Sequence, residues 1–239
     1  RVIDLHAHVV LAATLGAAGA HGPELCVDDG GLPVFRVARY RLRGVRYQGS
    51  PFMDVGLRLE EMDRRGIDFQ VLSPNPLTYF HFIEPAAAVA FCRRHNDALA
   101  TLVDAHPRRL AGLAALPVQD PVAAAAELER AVRELGLLGA AIGTDLPHAL
   151  DDAALDPLYA AFESRDVPLF IDPAQGGIDG PPGDPRLGRF DLDLLAGFAA
   201  QETLAVATLI FGGVLERHGK LDVWISHGGG ALAVLAGRL

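Results

Sequence analysis

A chain of 239 residues, half of them hydrophobic and about a fifth charged, carries enough apolar material for one large α/β domain or two small ones and is not a disordered chain. Thirty acidic against twenty-one basic residues give a net charge of −9, which argues against nucleic acid as a partner but lets a few arginines attract a small anion locally. Two cysteines, Cys26 and Cys92, form no CxxC pair, so neither a disulfide framework nor a thiolate zinc site is expected, and the usage suits a reducing, cytoplasmic setting.

The elements follow in chain order. A first strand is expected at 2–5, and the apolar run at 9–20 after it is too short and too rich in glycine for a membrane span or a signal peptide. No membrane-spanning stretch is expected anywhere. A long insert occupies 10–53. Helices are then expected at 54–65, 85–105, 121–135, 156–165 and 193–218, alternating with strands at 68–72, 110–116, 139–142, 167–171 and 221–226. Asp120 is the predicted N-cap of the third helix, with Pro121 at its first position.

Six strands alternating with at least five helices imply a parallel sheet covered on both faces or a closed barrel. A (β/α)8 barrel takes about 250 residues. The expected fold is therefore α/β, a TIM-type (β/α)8 barrel in a single domain over 1–239. The last one or two βα units are expected to be missing from this length of chain. The Gly- and Pro-rich stretch 176–188 reads as a βα loop.

Chemistry concentrates at the ends of strands. His6 and His8 stand two apart, so both imidazoles leave the same face of the first strand, with Asp4 on that face to fix their tautomers. Such a pair suits a first-row metal, although a surface histidine pair has the same spacing. His227 ends the last apolar strand and is followed by Gly228, Gly229 and Gly230, which permit a sharp bend or a close backbone approach. A structural turn would look the same. Asp172 ends the strand before Pro173, where a turn former is the commoner reading.

His95, His106 and His218 are expected at helix surfaces or caps, and His21, His81 and His148 in uninformative loops. Five arginines between 36 and 46 stand out in an acidic chain, and such a fork can hold a carboxylate bidentately.

In this order the segments are specific. Asp-Leu-His-Ala-His at 4–8, Val-Phe-Arg-Val at 34–37, Arg-Leu-Glu-Glu-Met-Asp-Arg-Arg-Gly at 58–66, Gln-Glu-Thr at 201–203 and Ser-His-Gly-Gly-Gly at 226–230 resemble the amidohydrolase-2 family, above all its carboxymuconate-semialdehyde decarboxylases. The resemblance runs through nearly the whole chain. It implies a (β/α)8 barrel with one divalent metal, zinc by preference and manganese as the alternative, at the C-terminal mouth. It implies His6 and His8 as metal ligands, His227 as the catalytic base, and Arg36 and Arg238 as binders of a substrate carboxylate. Arg238 would be lent by a neighbouring subunit, which implies a homodimer.

The implied activity is decarboxylation of a small unsaturated or aromatic carboxylic acid. A metal-dependent hydrolase or hydratase using the same centre is the alternative, and an inactive homologue with a binding role is a third. Two departures bear on that choice. Asp172 stands where the family has a third histidine ligand, and the family's fourth ligand, an aspartate on the last strand, has no counterpart before Leu239.

Overall fold

The computed structural model describes residues 1–174, 178 and 184–238. Strand β1 (Ile3–Val9) is followed by a small antiparallel sheet of β2 (Glu24–Val27), β3 (Pro33–Val37) and β4 (Tyr40–Arg43), which fills the insert. Thereafter come α1 (Val55–Arg65), β5 (Phe69–Pro74), α2 (Pro85–Asp104), β6 (Leu110–Gly112), β7 (Ala114–Ala115) and α3 (Pro121–Arg133). The chain continues with β8 (Ala140–Ile142), α4 (Asp156–Arg165), β9 (Leu169–Ile171), α5 (Phe198–Phe211), α6 (Val214–Arg217), β10 (Val223–Ile225) and α7 (Leu232–Leu235).

The parallel ladders run β1-β5-β6 and β7-β8-β9-β10, and β6 and β7 are two halves of one strand about Leu113, whose N–H donates to Leu72. Six barrel strands thus lie in sequence order. Among the described residues β1 pairs only with β5 and β10 only with β9, so the arc has two free edges.

Strand alternation sorts the side chains into two layers. Val71, Leu113, Ala141, Phe170 and Trp224 point into the barrel, while Leu72, Ala114, Ala140, Ile142, Leu169 and Ile171 pack outward against the helices. On β1 the outward set is Ala7 and Val9, which leaves His6 and His8 inside. The arc is strongly curled: the His6 ring on β1 lies 5.4 Å from the Phe170 ring on β9.

Local sequence explains the boundaries. Asp54 and Asp120 cap α1 and α3 by accepting backbone N–H groups of Leu57 and of Val122 and Ala123. The expected single helix at 193–218 is instead a π turn (Asp193–Gly197), α5 and α6, interrupted where Gly213 takes φ +72°. The 19-residue stretch Asp193–Phe211 contains an 18-residue window of mean hydropathy 1.6, long and apolar enough by length and composition alone to cross a membrane, which corrects the expectation that no segment reaches that length. Its buried Glu202 belongs to the barrel mouth described below. Of the expected βα loop at 176–188, residues 176, 177 and 179–183 lie outside the described residues.

Two histidines expected on surfaces are buried. His218 sits between Glu163 (2.8 Å) and Asp156 (3.2 Å). His95 is 2 % exposed on α2, and neither ring nitrogen has a hydrogen-bond partner. Burial pushes the His95 imidazole down to about 4. Above pH 6.5 it is neutral whether folded or not. As pH falls from 6.5 toward 4 the unfolded chain takes up a proton that the folded chain refuses, so stability drops by about 1.4 kcal/mol per pH unit, about 3 kcal/mol in all. A His95→Leu variant, followed by urea denaturation between pH 7 and 4, is expected to lose that share of the acid sensitivity.

Candidate metal and proton-transfer site

β1 ends among the mouth loops with His6 and His8 facing inward. Their Nε2 atoms lie 3.1 Å apart and the rings are nearly perpendicular. In the β1–β5 register His8 stands opposite Ser73, and its Nδ1 is within 3.0 Å of Ser73 Oγ and 3.2 Å of Pro74 O. A carbonyl only accepts, so Nδ1 carries the hydrogen and Nε2 keeps its lone pair for the interior. Burial lowers the His8 imidazole to about 4, so it is neutral at pH 7.

Asp172, directly after β9, is 1 % exposed and faces the pair: Oδ1 is 3.5 Å from His6 Nε2 and Oδ2 is 3.4 Å from His8 Nε2. Burial disfavours its charge, but the facing His6 and His8 imidazoles and the nearby Ser226 hydroxyl more than offset this and hold the carboxyl below its usual range. The same pairing with Asp172, against desolvation, raises the His6 imidazole. Asp172 Oδ1 nevertheless has no hydrogen-bond partner. A buried, ionised oxygen without a donor, facing two imidazole nitrogens, is the arrangement a divalent cation completes. The donor set of two imidazoles and a carboxylate therefore fits the metal.

Asp4 does not play its expected part. Its carboxylate accepts from Gln70 Nε2 (2.8 Å) and from the His6 backbone N–H (3.1 Å), not from an imidazole. Gln70 in turn accepts from Arg58, whose other terminal nitrogen donates to His8 O at 2.6 Å. Arg58 is 7 % exposed, and burial lowers its guanidinium to about 10, still charged at neutral pH. This chain of bonds clamps the backbone that carries both candidate ligands. Arg58→Met is expected to weaken metal binding by about 10- to 100-fold, the range for loss of an outer support. Metal titration of the stripped protein measures it.

The second half of the site comes from β10 and α5. His227 has φ +44° and Gly228, Gly229 and Gly230 follow at +69°, +73° and +64°, a left-handed run that turns the chain sharply at the mouth. A Cβ on Gly230 would lie 2.0 Å from Ala199 O, so this glycine lets the turn press against α5. Gly230→Ala is expected to destabilise the fold by about 1–3 kcal/mol, read as a lower melting temperature, and to displace His227.

Glu202 on α5 is fully buried, and its Oε1 lies 2.9 Å from His227 Nδ1 while also accepting from the Ser226 hydroxyl. A carboxylate only accepts, so the His227 hydrogen is on Nδ1 and Nε2 is the basic atom. The His227 ring lies 5.2 Å from that of His6. Glu202 was not singled out from the sequence; the signal was present in Gln201-Glu202-Thr203, one of the matching segments.

His6, His8, Asp172 and His227 thus converge. The two arginines do not join them by any observed bond. Arg36 on β3 pairs with Glu24 (2.9 and 2.5 Å) and donates to the carbonyls of Ala20 and Ala38. Arg238 is exposed on the final short turn, Ala236–Arg238.

Known proteins share this architecture. The 2-amino-3-carboxymuconate-6-semialdehyde decarboxylase of Dictyostelium discoideum is 34 % identical over 187 residues, which cover 78 % of this chain and 51 % of that protein. The chain thus spans about half the length of that relative. The crystal structure of 5-carboxyvanillate decarboxylase LigW from Sphingomonas paucimobilis superposes with a TM-score of 0.82 at 25 % identity, over 100 % of this chain and 71 % of that one. A dihydroxybenzoic acid decarboxylase from Polaromonas sp. JS666, solved with bound manganese and the inhibitor 2-nitroresorcinol, gives 0.76 at 26 % identity, over 99 % of this chain and 68 % of that one. With the amidohydrolase family model matching residues 3–238 and these decarboxylases sharing its curled parallel sheet, this chain belongs to the amidohydrolase family and has the fold of its TIM-barrel decarboxylases.

Proposed function

We propose that this chain carries the metal centre and the proton-transfer histidine of a decarboxylase that acts on a small unsaturated or aromatic carboxylic acid. The observation that carries the reading is the convergence, on one barrel rim, of the His6–His8–Asp172 donor set with the Glu202–His227 pair. His6, His8 and Asp172 would hold one divalent ion, which when bound supplies Lewis acidity and positive charge to an anionic substrate. Zinc and manganese both suit two imidazoles and a carboxylate, and the carboxylate favours manganese more than a third histidine would.

The protein's own part is proton handling and orientation. Glu202 keeps the hydrogen on His227 Nδ1, so Nε2 takes a proton and returns it to the carbon that loses its carboxylate. The net change is R–CO2− + H+ → R–H + CO2, with the electron pair of the broken C–C bond left on the protonated carbon. Arg36 is the proposed carboxylate binder on this chain. Its partner Glu24 has a side chain 49 % exposed and can leave for water when a substrate carboxylate takes its place. The sheet that carries Arg36 touches the loop after β9, where the Arg39 N–H reaches Ile178 O. Arg238, exposed at the same end of the chain as His227, is proposed to serve a neighbouring copy in a homodimer. Free Cys26 and Cys92 suit a cytoplasmic setting.

The test is CO2 release from the manganese- or zinc-loaded protein against a panel of dihydroxybenzoates and unsaturated dicarboxylates. Release that disappears on chelation is the expected result. Hydration or ring-opening of the same compounds without CO2 would point to the hydratase or hydrolase alternative and sink this one.

A further inference from the structure

The His227–Glu202 pair is also half of a second cluster. Asp172, Glu202 and His227 bring one potential ligand atom each to within 4.8 Å of one another, as do His6, His8 and Asp172, and the two groups meet at Asp172. Glu202 is 0 % exposed and its Oε2 has no hydrogen-bond partner; Asp172 Oδ1 is in the same condition. No lysine or arginine is bonded to either carboxylate among the described residues, and the observed partners of Glu202 are the Ser226 hydroxyl and His227. Two buried carboxylates with unpartnered oxygens on adjoining elements lack the positive charge that ordinarily offsets such burial.

We infer that Asp172, Glu202 and His227 form a second divalent-cation site, adjoining the His6–His8 site and sharing the Asp172 carboxylate with it. The exchange of histidine for aspartate at 172 is what creates it. A neutral imidazole offers one lone pair and serves one ion, whereas a carboxylate has two oxygens and can serve two. Two carboxylates and one imidazole suit manganese or zinc. An ion in this site takes His227 Nδ1, the nitrogen nearest Glu202, in place of the hydrogen held there. The single ring hydrogen passes by way of solvent from Nδ1 to Nε2, with no net release of a proton, and Nε2 is no longer a base. This consequence rests on the role given to His227 above: the first ion supports the reaction and an excess of the same metal inhibits it.

The test is a manganese titration of the metal-stripped full chain, with bound metal counted after equilibrium dialysis and spin coupling followed by electron paramagnetic resonance. Two ions per chain and a coupled-pair signal are expected at high manganese, with one ion in Glu202→Gln, His227→Ala and His8→Ala. CO2 release should rise with the first equivalent and fall by about a hundredfold at excess, the share a general base contributes. Should Glu202→Gln fail to fold, the half-exposed His227 carries the test alone. A wild-type chain that saturates at one ion while releasing CO2 overturns the second site and leaves the proposed function standing. A second ion that persists in both Glu202→Gln and His227→Ala overturns it as well. A chain that binds no ion at any concentration overturns both readings.

Discussion

Replacing His227 by alanine is expected to lower kcat for decarboxylation by about 10²- to 10⁴-fold, the contribution of a positioned general acid–base group, while the ion at His6, His8 and Asp172 stays bound. The expectation follows from position. His227 projects from the left-handed turn after β10, its Nδ1 is tied to Glu202, and no substrate carboxylate is needed to hold it. On the proposed function, where Arg36, Arg238 and the metal bind the substrate, KM should change little; a large rise in KM at constant kcat would mark His227 as a binding group instead. Glu202→Gln supplies the control on tautomer. An amide can donate where the carboxylate only accepted, so the ring is free to carry its hydrogen on Nε2, and kcat should fall and the pH–rate profile lose its basic-group limb. A pH profile unchanged from wild type in Glu202→Gln would show that Glu202 does not set the state of His227.

The strand ends were legible in the sequence because a period-2 pattern is local information. His6 and His8 two apart, an apolar run closing on Asp172, and another closing on His227 needed no tertiary knowledge to be placed on one rim. Helix starts were legible for the same reason: Asp54 and Asp120 satisfy N–H groups two or three residues away. What escaped was long-range. Glu202 reads as one polar residue on an apolar helix, and its partner lies twenty-five residues on, across a helix and a strand. The clamp from Arg58 through Gln70 to Asp4 spans two strands and a helix, so Asp4 was assigned to the wrong neighbour. The insert's hairpins were hidden because β2 and β4 are only four residues each: β2 is largely exposed, and the alternation Tyr40-Arg41-Leu42-Arg43 of β4 is too short to stand out among the arginines. His95 and His218 were misplaced because polarity alone does not reveal that a buried histidine can be tolerated neutral or held between carboxylates.

The largest expected effect on the metal itself is at Asp172. Asp172→Ala should weaken binding of manganese or zinc by at least about a hundredfold, since loss of an outer support alone is worth 10- to 100-fold and Asp172, facing both imidazoles, is the proposed direct donor. Among the described residues Asp172 is the one carboxylate grouped with His6 and His8, while Glu202 groups with His227. Asp172→His is the sharper experiment. It removes one negative charge from a buried donor set and adds a softer nitrogen, so zinc affinity relative to manganese should rise. It also removes the shared carboxylate, so manganese inhibition at excess should vanish together with the second equivalent of bound metal. The larger ring must fit beside Phe170, and a drop in melting temperature would report the strain separately from the metal preference. Calorimetric titration of the wild type, Asp172→Ala and Asp172→His with each metal separates these outcomes. Wild-type affinity in Asp172→Ala would remove Asp172 from the coordination shell and leave its burial, ionised and unpartnered at Oδ1, without a physical cause.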